Sequence, residues 1–397
     1  MFKKTILIFT IIFLTTFILS GCWDKVEIDQ RGFVEVMMID PAPPGSEEEM
    51  GEAAKGMPGI SLQESDMIKV TYVFPNTGLL AGQGGGGGNE PGFTSLASVA
   101  ENISKANRLV DARVSRRLFF GHTQIVILSQ ELFKNTKKAK EVIDYLRRDP
   151  QFNRTIRLLI TEGEASKIAE VKPKVEKLLF RYIKGIIDNE DTNGRIIDIN
   201  LSEFIVLISG PEATSIIPKV SVKGDELKIS GAAVIKDFKL CGYISEYESL
   251  YFNTLQGTRS GGVESINFEG SSTEFASNNT SRKLELINSD PDNLEIEINV
   301  KIEGILMSSE FGKELFDTDT INKIEKEFNK MSDENCSLVI KKLQKEYKAD
   351  ALSISAYLRK FHPDVWDKVK ERWEEIYSNI KIIPRMDYRI RRIGTVK

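Results

Sequence analysis

From Leu294 the chain alternates without interruption. Leu294, Ile296, Ile298, Val300 and Ile302 are apolar, and the intervening Glu295, Glu297, Asn299, Lys301 and Glu303 are polar. Period-two alternation puts one face of a strand in a core and the other in water, as in an antiparallel sheet covered on one side. The cover lies in the same third of the chain. Asp319–Tyr347 carries Ile321, Ile324, Phe328 and Met331 as an apolar helical stripe. A second helix starts at Pro363, a residue suited to the first helical turn, with Trp366, Val369, Trp373 and Ile376 on one face. This spacing assigns the two tryptophans to a core. Ile382–Ile390 reads as a closing strand, and the parts assemble as helices on one face of an antiparallel sheet.

Upstream, strands are predicted at Phe33–Ile39, Met67–Phe74, Arg117–Phe120, Gln124–Leu128 and Thr155–Thr161. Helices are predicted at Thr94–Asn107, Glu131–Arg148, Val175–Ile187 and from Leu201 to the Gly210-Pro211 stop. Two further strands flank the Lys223-Gly224-Asp225 turn, followed by a strand at Lys239–Ile244 and a helix from Ser245. Pro41–Asp66 is an acidic loop and Gly82–Gly92 a glycine-rich linker. The irregular order of elements predicts an α+β protein, with antiparallel or mixed sheets and helices packed on them, and not a doubly wound sheet.

The amino-terminal residues set the compartment. Lys3 and Lys4 precede an uncharged run of 15 residues, Thr5–Leu19. As a helix that run spans roughly 22 Å, short of a ~30 Å hydrocarbon core, so it reads as a secretory signal segment. It is followed by Leu19-Ser20-Gly21-Cys22, which resembles the lipobox of bacterial lipoproteins, where the cysteine thiol receives diacylglycerol and cleavage occurs before it. The expected organisation is a signal peptide at 1–21, an N-terminal α+β domain at 22–195, a small middle lobe at 196–258 and a C-terminal α+β domain at 259–397. The remaining cysteines, Cys241 and Cys336, could form one disulfide in an oxidising compartment, but their apolar strand and helix contexts favour buried free thiols.

Chemistry-bearing motifs are sparse. A net charge of −4 over 397 residues speaks against nucleic acid as a partner. With His122 and His362 the only histidines, and no G-x-S-x-G, H-E-x-x-H or C-x-x-C, the sequence assigns no catalytic residue, metal or cofactor. Gly82, Gly84 and Gly87 match G-x-G-x-x-G only as any glycine tract does. Charge, however, is uneven: residues 101–157 carry net +7 and residues 40–100 net −6. Arg113, Arg116, Arg117, Arg147 and Arg148 are therefore candidates for a surface facing anionic lipid or acidic loops of a membrane partner.

Several segments together resemble one family. Gly21-Cys22-Trp23-Asp24-Lys25-Val26-Glu27-Ile28 with Arg31-Gly32-Phe33-Val34 is one; Gly121-His122-Thr123-Gln124-Ile125-Val126-Ile127 with Tyr145-Leu146-Arg147-Arg148-Asp149-Pro150 is another. Pro363–Trp366 and the end from Trp373 to Arg391-Arg392-Ile393-Gly394 complete the set. Across almost the whole chain these are similar to the Ger(x)C family, the lipoprotein C subunits of spore germinant receptors. The chain departs from the family where Ala349-Asp350 runs into Ala351-Leu352-Ser353-Ile354 instead of a Gly- and Phe-rich turn, and in longer loops at 40–66 and 82–92. The resemblance implies a non-catalytic subunit, anchored through Cys22 on the extracytoplasmic face of the spore inner membrane. It also implies A-type and permease-like B-type integral membrane partners. Two other classes stand beside it: a lipid-anchored solute-binding protein, which needs two lobes of repeated βαβ units, and an anchored hydrolase using paired carboxylates.

Overall fold

The computed structural model describes residues 30–46, 67–76, 91–308 and 317–393. The signal segment, Cys22, most of the acidic loop and most of the glycine tract lie outside these residues. In chain order come β1 (Arg31–Phe33), β2 (Val36–Pro41), β3 (Ile68–Pro75), β4 (Phe93–Ala100) and α1 (Ile103–Asp111). Next are β5 (Arg117–Phe119), β6 (Ile125–Ser129), α2 (Thr136–Arg148), β7 (Arg157–Thr161), α3 (Leu179–Asp188) and α4 (Leu201–Ile208). β8 (Thr214–Lys223), β9 (Glu226–Lys236) and β10 (Lys239–Ile244) lead into α5 (Glu246–Gln256). β11 (Val263–Phe268), β12 (Ser271–Asn288) and β13 (Glu295–Ser308) are followed by α6 (Thr318–Lys341), α7 (Ile354–Phe361), α8 (Pro363–Val369), α9 (Trp373–Asn379) and β14 (Lys381–Ile393).

The strands form an eight-stranded mixed sheet, β10-β9-β8-β7-β6-β2-β3-β4, a four-stranded sheet, β11-β12-β13-β14, and the small parallel pair β1-β5. β2, β6 and β7 run parallel at the centre of the large sheet, between antiparallel flanks. Strands of the 196–258 segment join this sheet through a single pairing, Ile160 with Lys219. Both faces of the sheet are covered. Met37, Ile39, Tyr72, Val126 and Leu158 pack under α1, α2 and α4, while Val36, Met38, Ile127 and Leu159 pack on the α3 side. That double burial is why β2 is apolar on consecutive positions instead of alternating. Asp40 is buried at the end of β2, where its carboxylate accepts the Ala165 and Ser166 N–H groups at 2.6 and 2.9 Å.

One expectation is overturned outright. Thr94–Asn107 is not a helix: residues 93–100 form edge strand β4 on β3, and the helix starts only at Ile103, with the Asn102 side chain capping the Lys105 N–H at 2.9 Å. The run Thr94-Ser95-Leu96-Ala97-Ser98 has weak preference of its own, and the open ladder of β3 decides its state.

In the C-terminal sheet the residues 294–302 behave as their alternation requires: Ile296, Ile298, Val300 and Ile302 are buried. On the wet face, Glu295 and Glu297 of β13 pair with Lys381 and Arg385 of β14, each at 3.1 Å. β11-β12-β13 is antiparallel, but the closing strand is not: β14 runs parallel to β13, because the chain between them is spent on helices that return it to the starting end. The helix expected from Pro363 is broken by a 3₁₀ turn at Lys370–Arg372 into α8 and α9. Trp366 and Trp373 are buried and meet edge to face at 5.4 Å between ring centroids. Among the described residues Cys241 and Cys336 are free thiols, Cys336 buried and Cys241 partly so.

The outer edge of β14 is closed by side chains of α6. Asp333 accepts the Met386 N–H at 2.9 Å, Asn329 the Tyr388 N–H at 2.7 Å and Glu325 the Ile390 N–H at 2.8 Å. Acceptors spaced one helical turn apart therefore satisfy alternate donors of an edge strand that would otherwise invite pairing with another chain.

Candidate interaction surface

The five arginines singled out by charge are collected by topology. β2, β6 and β7 begin together, at Val36, Ile125 and Arg157. α1 and α2 run back towards that end side by side: the Lys138 ammonium reaches the Glu101 carbonyl at 2.8 Å near their starts, and Asn107 bonds the Tyr145 hydroxyl at 3.1 Å further on. Arg113, Arg116 and Arg117 follow α1, and Arg147 and Arg148 close α2, so all five come to this end of the sheet and all are exposed.

Their commitments differ. Arg113 donates from Nη2 to the Ala97 carbonyl of edge strand β4 and from Nε to the Leu109 carbonyl. Arg148 pairs with Asp144 at 2.7 Å. Arg116, Arg117 and Arg147 carry no ion pair among the described residues. A further cation, passed over in the sequence reading, joins them: β1 pairs with β5 in register Arg31 with Arg117, and the Arg31 guanidinium stands 4.5 Å over the Phe119 ring. Nothing local in the sequence signals that pairing, which spans 86 positions.

Aromatic rings floor this end. Phe33 meets Phe119 edge to face at 5.6 Å, and exposed His122 lies 4.8 Å from Phe33 and 5.7 Å from Phe119. Gly121 lets the Phe119 ring lie against the backbone here, since a Cβ would sit 2.6 Å from that ring. Thr123 then turns inward and donates to the buried Val34 carbonyl at 3.0 Å. These contacts give the Gly121-His122-Thr123 segment a structural reason. Tyr145 and Asp149 gain one likewise: Tyr72 donates to Asn107 at 2.7 Å, Asn107 to Tyr145, and Tyr145 to Asp149 at 2.9 Å, tying α2 to the sheet through a hydrogen-bonded chain.

Glu35, between β1 and β2, is mostly buried, and that desolvation pushes its carboxyl up to about 7 against the opposing pull of Arg181. His362 hydrogen-bonds Tyr357 at 3.0 Å, far in sequence from His122. Among the described residues no three His, Cys, Asp or Glu side chains converge on a metal position, and no helix is long and apolar enough to cross a membrane.

Comparison with known proteins gives consistent matches along the chain. Residues 24–222 match the family model described as spore germination protein N-terminal domain, and residues 230–394 match spore germination B3/GerAC like, C-terminal. Spore germination protein YndF of Bacillus subtilis (strain 168) is 27% identical, covering 100% of this chain and 98% of that protein. Spore germination protein B3 of the same organism is 25% identical, covering 99% of each chain. A crystal structure of the GerBC protein superposes with a TM-score of 0.58 over 84% of this chain and 97% of its own, at 22% identity, a likeness of fold.

Proposed function

Since the chain belongs to the GerAC-like family of spore germination proteins, whose two domain models together span nearly all of it, we propose that it is a non-catalytic subunit of a nutrient germinant receptor. It is held by lipid at Cys22 on the extracytoplasmic face of the spore inner membrane. There it associates with A-type and permease-like B-type membrane subunits. The observation that supports the reading is the position of β1. Arg31 opens it at the arginine-rich end of the sheet, nine residues after Cys22, a reach of at most about 32 Å. A diacylated Cys22 anchors stably, because two acyl chains bury enough CH₂ groups where one does not. The tether holds Arg31, Arg116, Arg117 and Arg147 near the headgroups. Each cation there adds about 1 kcal/mol of attraction, screened over about 8–10 Å in physiological salt.

The test is mild detergent extraction of spore membranes, affinity capture and mass spectrometry. Stoichiometric recovery of both kinds of multi-span partner, with diacylglycerol on Cys22, is expected. Replacing Arg116 and Arg117 by Glu should lower recovery at low salt and converge with the unaltered protein at high salt. Recovery of the protein alone in several mild detergents, with Cys22 lipidated, refutes the receptor-subunit reading; salt-independent recovery of the double variant refutes the role of the basic end.

A further inference from the structure

The two main sheets end in four edge strands, β10 and β4 in one and β11 and β14 in the other. Three of them are protected. β14 is sealed by the acceptors of α6. β10 carries a bulge between Leu240 and Gly242, and the Tyr347 hydroxyl covers it by donating to the Tyr243 carbonyl at 2.7 Å. β11 is six residues long and turns a charged side chain inward, the buried Glu264. Covering side chains, bulges, short strands and inward charges are the usual means of keeping an edge from pairing with another chain. β4 has none of these. Its eight residues, Phe-Thr-Ser-Leu-Ala-Ser-Val-Ala, pair with β3 without a register shift and include no charge, proline or glycine.

Two contacts fix which of its backbone groups face outward. The Asn76 N–H, just past β3, bonds the Gly92 carbonyl at 2.7 Å. At two-residue steps from Gly92, Thr94, Leu96, Ser98 and Ala100 therefore turn their N–H and C=O groups towards β3. The Arg113 guanidinium takes the Ala97 carbonyl from the other side. Ser95, Ala97 and Val99 thus form an outward ladder, and among the described residues that contact is the one hydrogen bond it receives. The end of α1 overlooks the same edge. Arg113 is exposed, and its hydrogen bonds among the described residues are to carbonyls alone, those of Ala97 and Leu109. Leu109, one turn earlier, is 39% exposed.

We propose that β4 takes an added strand from another protein, an extended segment with acidic side chains on the face turned to α1. Main-chain pairing with Ser95, Ala97 and Val99 supplies the attachment, and alternate side chains supply the selection. A carboxylate on that segment draws Arg113 off the Ala97 carbonyl, which frees the acceptor for an incoming N–H and forms a charge-assisted pair. A second copy of this chain meets the edge less well. β4 has no acid to offer, and two β4 strands paired antiparallel about Ala97 bring two Arg113 side chains together, a like-charge contact. This reading is independent of lipid anchoring and of receptor assembly.

The experiment is amide hydrogen exchange of the full-length protein in mild detergent, titrated with the peptide Thr-Glu-Val-Glu-Val-Thr, whose two Glu side chains share one face of a strand. Thr-Lys-Val-Lys-Val-Thr, which reverses the charge, and Thr-Glu-Pro-Glu-Pro-Thr, which lacks two N–H groups, are the controls. The Glu-Val peptide should slow exchange at Ser95, Ala97 and Val99 at least about fivefold, with a midpoint below about 1 mM, and each control should act at least about tenfold more weakly. Ala97→Pro removes an outward N–H and leaves the β3 ladder whole, so it should keep its melting point and weaken the peptide at least about tenfold. Arg113→Glu, which leaves the backbone unaltered, should weaken it at least about fivefold at low salt. Unchanged exchange at the three amides up to about 2 mM peptide, equal action of the lysine peptide, or an Arg113→Glu titration that matches the unaltered protein overturns the proposal. So does a dimer of the unaltered protein that Ala97→Pro dissociates, which assigns the edge to a second copy.

Discussion

Arg259 lies in the C-terminal core with its side chain fully enclosed, and its Nη1 meets Glu264 Oε2 at 2.6 Å, the carboxylate being 3% exposed. Its Nε donates to the Gly261 carbonyl at 2.8 Å, and the enclosed Tyr388 hydroxyl donates to the same Glu264 oxygen at 2.6 Å. Arg259→Met keeps the aliphatic stem but strands a carboxylate away from water, which costs about 3–5 kcal/mol for a pair broken on one side. Glu264→Gln keeps an acceptor for Tyr388 and strands the guanidinium instead, with a cost of similar size. In Arg259→Met/Glu264→Gln neither charge remains, so the double variant should recover at least about 2 kcal/mol relative to the sum of the singles. Urea unfolding followed by tryptophan emission reads this core directly, since Trp366 and Trp373 both pack in it. A single Arg259→Met loss under about 1 kcal/mol, or additive single variants, refutes the claim that the two charges hold one another.

Three other outcomes are expected. Gly304→Ala would place a Cβ 2.2 Å from the Ala276 carbonyl and 2.4 Å from the Phe275 ring, so a loss of about 3 kcal/mol or more is expected, and melting within 1 °C of the unaltered protein counts against it. Asn329→Leu removes the acceptor for the Tyr388 N–H and should cost about 2 kcal/mol, with amide exchange accelerated at Tyr388 but not at Met386; unchanged protection at Tyr388 contradicts this. Glu35 keeps its proton to about pH 7 when folded but only to about 4.5, its ordinary value, when unfolded, so the native state holds the extra proton in between and stability falls as pH rises through that window. Glu35→Gln should remove this part of the slope, stabilising by about 1 kcal/mol at pH 8, after allowance for the group's partial exposure, and by nothing near pH 4; an equal effect at both values would refute it.

What the residues announce and what they conceal divide along range. The alternation at 294–302 and the stripe Ile321, Ile324, Phe328 in α6 are local periodicities, and both become core. The Lys223-Gly224-Asp225 turn is equally local, and β8 and β9 pair across it. Edge strand β4 was legible only through β3, and the direction of β14 only through the helices that bring it back, so neither could be read from its own residues. The candidate surfaces follow the same division. Charge counting found the arginines, but their shared end of the sheet and the addition of Arg31 depend on pairings remote in sequence. Glu212, Asp350 and Tyr377 line one crevice although they come from separate stretches, and no local pattern in the sequence marks it.

The acceptors of α6 along β14 work as a vernier. Four helical residues advance about 6.0 Å, whereas two strand residues advance about 6.7 Å, so successive rungs drift apart by about 0.7 Å. Over Asp333, Asn329 and Glu325 the accumulated offset is about 1.4 Å, within the give of the side chains, and the longer Glu325 serves one end. A straight helix can therefore stand in for a neighbouring strand over only a few rungs before the two scales part. A two-residue slip of β14 that brought Pro384 to the place of Met386 would preserve the ladder with β13 but offer Asp333 no N–H at all, so α6 measures the strand's position in that direction as well as covering its edge.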